Sequence, residues 1–217
     1  MSHRIVVLIS GSGTNLQAIL DAATDGRLPA EVALVVSNRA DAGGLDRARA
    51  AGVATAVVDH RNYPDRDSFD QALIDTIDPA EPDTVALAGF MRILTPAFVA
   101  HYRGRLLNIH PSLLPRHRGL HTHARALEEG DTEHGCSVHF VTEELDGGPL
   151  VAQAAVPVHA NDTEADLSKR VGEREHQLYP RVLRWRAEGR LRLTEAGAEL
   201  DGKRLDPRGV QISVDSL

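Results

Sequence analysis

The first 90 residues alternate short, nearly continuous apolar runs with stretches whose apolar positions recur at helical spacing. The runs Arg4–Ser10, Glu31–Ser37, Ala54–Val58 and Thr84–Ala88 predict strands buried on both faces. Helices are predicted to begin near Asn15, Gly43 and Ser68, the first with Leu16, Ile19 and Leu20 on its apolar face. This is the pattern of βαβ units, in which right-handed crossovers lay helices on both faces of a parallel sheet. Thr95-Pro96 reads as the cap and first position of a helix to about His101, and a fifth strand follows at Leu106–His110. Residues 111–122 hold prolines and polar groups without periodicity, which predicts a loop leaving the carboxyl end of that strand. Next come a helix near His123–Glu129, a strand Cys136–Val141, a turn over Leu145-Asp146-Gly147-Gly148-Pro149 and an apolar strand to about Val158. Asn161-Asp162-Thr163 offers caps for a long helix to about Arg186, and Asp201-Gly202 the turn of a small C-terminal hairpin. With no repeat and no linker, the expected architecture is an α/β, doubly wound, mostly parallel sheet in a single domain, 1–217.

Composition narrows the class. With 42% hydrophobic and 25% charged residues among 217, the chain has ordinary globular composition. No apolar run reaches the roughly eighteen residues of a membrane span, and the N-terminus lacks a small-residue cleavage site, so the expected location is the cytoplasm. A net charge of −7 lacks the basic footprint of a nucleic-acid binder, so the expected partners are small molecules. The lone Cys136 excludes an intramolecular disulfide and a four-cysteine zinc site. Six of the 11 histidines fall between His110 and His139.

Four places could carry chemistry. Ser10-Gly11-Ser12-Gly13-Thr14-Asn15 lies between the first strand and first helix, where bare amides and the helix dipole favour an anion. It lacks the third glycine of the dinucleotide fingerprint and the lysine of a Walker loop, and taken alone it equally fits a tight turn capped by Thr14 or Asn15. In Asn108-Ile109-His110-Pro111 the strand alternation puts Asn108 and His110 on one side, an amide and an imidazole suited to a carbonyl oxygen gaining charge. A structural histidine is the plainer alternative. Asp146 sits in a glycine turn and gains weight only from a partner such as an imidazole, whose charged form it would favour. Glu175 falls on the apolar stripe Leu167, Val171, Leu178, Val182 of the long helix, where a carboxylate needs a partner from the protein or from a ligand. Cys136 is expected to be packed rather than nucleophilic. His121-Thr122-His123 has no accompanying ligand set, so no metal is expected.

Together these segments, with Leu87-Ala88-Gly89-Phe90-Met91-Arg92-Ile93-Leu94, Pro111-Ser112-Leu113-Leu114-Pro115 and Gly119-Leu120-His121-Thr122-His123, resemble the 10-formyltetrahydrofolate-dependent formyltransferases, in particular those acting on phosphoribosylglycinamide. The similarity runs in order over roughly residues 4–205. It implies a Rossmann-like fold with a phosphate-binding half (1–100) and a catalytic and folate-binding half (101–217). It also implies transfer of a formyl group from 10-formyltetrahydrofolate, as cosubstrate, to the amine of 5'-phosphoribosylglycinamide, by a monomer or homodimer. Asn108, His110 and Asp146 would be the catalytic trio; Gly13, Thr14, Asn15 and Glu175 would hold the ribonucleotide. Arg66, Met91, Arg92, Ile93 and Leu94, with Asn108, Thr142, Glu143, Glu144, Leu145 and Asp146, would line the folate site. Because the substrate amine is itself the nucleophile, no serine or cysteine is needed. The chain departs from the family pattern at Arg116-His117-Arg118, where an aromatic residue and a proline are usual, and at Gly172, where relatives can carry a polar side chain; Arg174 is a candidate to compensate. A 10-formyltetrahydrofolate hydrolase is the alternative. A methionyl-tRNA formyltransferase would need a further C-terminal domain and a basic face, and a catalytically dead binding module would be expected to lose one of the trio.

Overall fold

The computed structural model describes residues 2–212. Parallel strands β1 (His3–Ile9), β2 (Ala30–Ser37), β3 (Thr55–Val57), β4 (Thr84–Leu87) and β5 (Leu106–His110) alternate with helices α1 (Thr14–Thr24), α2 (Gly44–Ala50), α3 (Arg66–Ile77) and α4 (Pro96–His101). After α5 (Thr122–Glu128), strand β6 (Glu133–Phe140) runs antiparallel to both β5 and β7 (Leu150–Pro157), and the long helix α6 (Glu164–Ala187) follows. The tail forms β8 (Leu191–Thr194), β9 (Gly197–Leu200) and β10 (Lys203–Arg204), an antiparallel three-stranded sheet, before β11 (Val210–Ile212) joins the main sheet beside β7. The order of the main sheet is β11-β7-β6-β5-β4-β1-β2-β3. This is the expected Rossmann-like, doubly wound arrangement, with β6 running against its neighbours.

Strict alternation divides the core. Ile5, Val7 and Ile9 of β1 face Leu16 and Ile19 of α1 and Leu167, Val171, Leu178 and Val182 of α6. On the other side Val6, Leu8, Val85 and Leu87 meet Phe69, Leu73 and Ile77 of α3 and Phe98 of α4. Thr95 caps α4 through its hydroxyl and Thr163 caps α6 in a reciprocal box with Asp166, so threonine stops the chain at both predicted helix starts. Three expectations change. The predicted hairpin keeps its Asp201-Gly202 turn, both residues at positive φ, but gains β8 as a third strand. β6 begins at Glu133, before the apolar run that predicts it at Cys136, because its pairing with β7 continues past that run. Finally α1 is capped neither by Thr14 nor by Asn15: its N-cap is Gly13, left-handed at φ 74°, with no side-chain bond.

The chain winds outward through β2 and β3, then returns to place β4 on the opposite flank of β1. At such a reversal the loops after the strands diverge and leave a crevice at their carboxyl ends. Here a hydrogen bond bridges it: Met91 N donates to Ser10 Oγ at 2.8 Å, and Ser10 Oγ donates to Asn38 Oδ1 at 2.6 Å.

Candidate active site

Leu106, Asn108 and His110 point to the same face of β5, and only Leu106 is covered by the α3 and α4 core. The antiparallel register sets His139 of β6 directly opposite Asn108. His139 is buried and donates Nδ1–H to Phe140 O at 2.9 Å. Burial lowers its pKa and keeps the ring neutral, so Nε2 is left as an acceptor, and it takes a bond from Asn108 Nδ2 at 3.2 Å. The Asn108 amide is thereby oriented, with its second N–H available to a ligand.

His110 is similarly constrained. Its Nε2 donates to the carbonyl of His117 at 2.9 Å, and its Nδ1 stands 3.5 Å from Asp146 Oδ2, both side chains being almost wholly buried. Asp146 reaches this position from the long turn after β6, at φ 48°. Gly148 is needed for that turn, because a Cβ there would stand 1.8 Å from Phe140 O. Asp146 Oδ2 also accepts from Gly119 N at 2.9 Å, and Oδ1 lies 3.8 Å from His139 Nε2. Asn108, His110 and Asp146, 38 residues apart at the extremes, thus share one buried polar cluster completed by His139 and by the backbone of residues 117–119.

At the other strand end, residues 10–15 present a bare helix start. Gly13 must remain glycine, since a Cβ would lie 2.5 Å from the Gly44 Cα. Arg47 of α2 steadies this loop, donating to Ser12 O at 2.7 Å and to Gln17 Oε1 at 3.2 Å. It also lines a cleft of about 350 Å³ with Thr14, Gln17, Arg27 and His176. Asn15 Nδ2 lies 3.4 Å from Glu175 Oε2, while Asn15 Oδ1 is buried without a partner. Burial raises the pKa of Glu175 to about 7, only partly offset by that weak bond. The helix stripe thus brings Glu175 to the loop after β1, as a carboxyl group that holds its proton near neutrality.

The segment after β4 exposes Met91 (65%) and Ile93 (54%), and the turn after β6 exposes Leu145 (50%). Leu94 and Val141, bordering the two segments, pack against the same core cluster. Asp70 of α3 accepts from Thr95 N at 2.6 Å and holds the end of the first segment; Arg66, one turn earlier on α3, is exposed. Of the other expected folate contacts, Glu144 is ion-paired with Arg118, and Arg92, Thr142 and Glu143 remain at least partly accessible. Gly172 faces open space, and Arg174 donates to Gln177 on its own helix at 3.0 Å. Cys136 is buried in the strand, its thiol pKa pushed well up by burial. Among the described residues, His117, Glu129 and Asp131 could group around a cation, but the Arg116 guanidinium already bonds to both carboxylates, at 2.9 and 2.6 Å.

Sequence reasoning missed Arg47 and saw His139 only as one of the six clustered histidines. The signal for His139 is the polar alternation Ser137-Val138-His139 on an apolar strand, which becomes informative once the strand's partner is known.

The formyl transferase family model matches residues 3–183. The chain is 59% identical over 205 residues to phosphoribosylglycinamide formyltransferase of Escherichia coli (strain K12), covering 94% of this chain and 97% of that one. It is 46% identical over 194 residues to the human trifunctional purine biosynthetic protein adenosine-3, covering 89% of this chain and 19% of that much longer protein. The solved structure of phosphoribosylglycinamide formyltransferase from Coxiella burnetii superposes with a TM-score of 0.94 at 51% identity, over 98% of this chain and all of that one. Similarity of this extent spans the loop after β1, the β5 end and the turn that carries Asp146, and the chain belongs to the formyl transferase family.

Proposed function

We propose that this protein transfers the formyl group of 10-formyltetrahydrofolate to the amine of 5'-phosphoribosylglycinamide, giving formylglycinamide ribonucleotide and tetrahydrofolate. The observation that carries the reading is the buried cluster of Asn108, His110 and Asp146 at the carboxyl end of β5, one strand from the crevice between β1 and β4.

The bare amides at Gly13, Thr14 and Asn15 receive the phosphate, and the Glu175 carboxyl meets the glycinamide end of the ribonucleotide. The exposed apolar side chains of Met91, Ile93 and Leu145 suit one flat ring of the folate, beside the backbone of Arg92, Leu94 and residues 142–146. The exposed Arg66 meets a folate carboxylate.

The substrate amine attacks the formyl carbon, and the carbonyl electron pair moves onto oxygen. Asn108 Nδ2–H and the Nδ1 edge of the His110 ring face that oxyanion. Because Nε2–H of His110 is spent on the His117 carbonyl, the Nδ1 edge is the one that works. At 3.5 Å the Asp146 carboxylate faces the same Nδ1 edge, which stays open toward the substrate. Collapse expels the folate nitrogen, and the proton lost by the attacking nitrogen ends on that leaving nitrogen, relayed by a water that Asp146 holds. No protein nucleophile takes part, in keeping with the buried Cys136.

No described helix is long and apolar enough to cross a membrane. The reading places the protein in the cytoplasm, as a monomer or homodimer acting on small molecules without nucleic acid or a metal. The deciding assay mixes protein, ribonucleotide and 10-formyltetrahydrofolate and follows release of tetrahydrofolate. Release that depends on the ribonucleotide supports the transferase; equal release without it makes the protein a hydrolase.

A further inference from the structure

The chain's own departure, Arg116-His117-Arg118, lies against the catalytic pair. Segment 117–119 touches both of its members: the His117 carbonyl accepts from His110 Nε2 at 2.9 Å, and Gly119 N donates to Asp146 Oδ2 at 2.9 Å. With the 3.5 Å approach of His110 to Asp146 these contacts close a ring, so where the segment sits fixes the imidazole and the carboxylate together.

The segment is anchored by the His117 side chain. Residue 117 is held at φ 53°, and its buried ring meets Asp131 Oδ2 at 2.7 Å through Nε2 and lies 3.7 Å from Glu129 Oε1 through Nδ1. Asp131 is itself almost fully buried and is held from its other oxygen by Arg116 at 2.6 Å. Ser112 Oγ bonds to Arg116 O at 2.7 Å, which ties the other end of the loop back toward β5. The neighbouring ring of His134, 5.8 Å away, has its pKa lowered to about 4 by burial and stays neutral, so it adds no repulsion near neutrality.

From this geometry we infer that His117 is a positioning residue: through its bond to Asp131 it holds its own carbonyl on His110 Nε2, which commits the Nδ1 edge of His110 to the reaction. The inference rests on the catalytic role proposed above for His110. A phenylalanine at this position could fill the space but has no donor for Asp131.

The test uses the full chain with ¹⁵N-labelled histidine and two variants, His117→Phe, which removes the donor, and Asp131→Asn, which removes the charged acceptor from outside the loop. In each, kcat is expected to fall by about tenfold or more while KM for both substrates stays within about twofold, since misplacement rather than lost binding is the cause. The double variant should be no slower than the worse single variant. The proton on His110 Nε2, identified by its absence in His110→Asn, should exchange with solvent about tenfold faster in both variants than in the wild type. If His117→Phe does not fold, Asp131→Asn gives both readouts. A kcat within twofold of wild type, or a slower enzyme whose His110 proton exchanges as before, overturns the inference. If the wild type transfers no formyl group, the proposed function falls and the exchange rate alone decides whether His117 holds His110.

Discussion

The two ends of the crevice are built on opposite principles. At the end of β5 nearly every polar group has a protein partner: Asn108 with His139, His110 with the His117 carbonyl, Asp146 with the Gly119 amide. After β1 the groups are left wanting: α1 starts without a side-chain cap, Asn15 Oδ1 is buried and unpaired, and Glu175 has only a 3.4 Å contact. Groups that must act on a transient charge gain from being fixed before the substrate arrives. Groups that must hold a stable ligand can leave their bonding capacity open, and the ligand then supplies what folding did not.

The largest expected effect breaks the fixed end. His110→Ala removes the imidazole from a cluster arranged around it, and kcat should fall by about two to four powers of ten with substrate affinity little changed. Steady-state kinetics on the folded variant checks this, and an enzyme of full activity would refute the assigned chemistry. At the open end, Gly13→Ala should destabilise the protein by about 1–3 kcal/mol, because an L side chain is strained at φ 74° and its Cβ would collide with Gly44. A shifted urea midpoint together with a raised KM for the ribonucleotide would show both consequences.

A third prediction contrasts the ends through pH. Glu175 has its pKa raised to about 7 in the folded protein, so native Glu175 keeps a proton that the unfolded chain has given up above its ordinary value near 4.5. Its contribution to stability is therefore full below about pH 4.5 and declines as pH rises through 7, by up to roughly 3 kcal/mol. Glu175→Gln should abolish this decline, so the variant gains on the wild type in denaturant melts between pH 5 and 8. An unchanged pH slope would mean that the carboxyl is solvated. The smallest effect belongs to neither end: Cys136→Ala should leave kcat unchanged and cost about 1 kcal/mol of packing.

The same contrast explains how much could be read from the chain. Local features were legible because they depend on neighbours in sequence. Thr95-Pro96 and Asn161-Asp162-Thr163 mark the helix starts, and the β5 boundaries Leu106–His110 agree with the structure. The open end was nearly legible for the same reason, although Gly13 rather than Thr14 or Asn15 forms the cap, a choice forced by close approach to Gly44. The fixed end was legible only as residue types. Asn108 and His110 stand out on their strand, but the orienting role of His139 depends on the antiparallel register of β6, which no local pattern states. The approach of Asp146 depends on a turn folding back over its own strand, and β11 joins the sheet 58 positions beyond its partner, Gln211 beside Gln153. Such long-range pairings are selected by the assembled core.

Tyr179 gives the two ends a common gauge. Its hydroxyl, buried in the sheet, lies 3.0 Å from Leu87 O and 3.1 Å from Leu107 O, at the last paired residues of β4 and beside Asn108 of β5. One turn back on the same helix stands Glu175. The phenol therefore acts as a key in a keyway: to roll or slide, the helix must withdraw its one proton from two carbonyls of the sheet. The spacing between the Glu175 carboxyl and the Asn108 end of β5 is thus machined into a single rigid part.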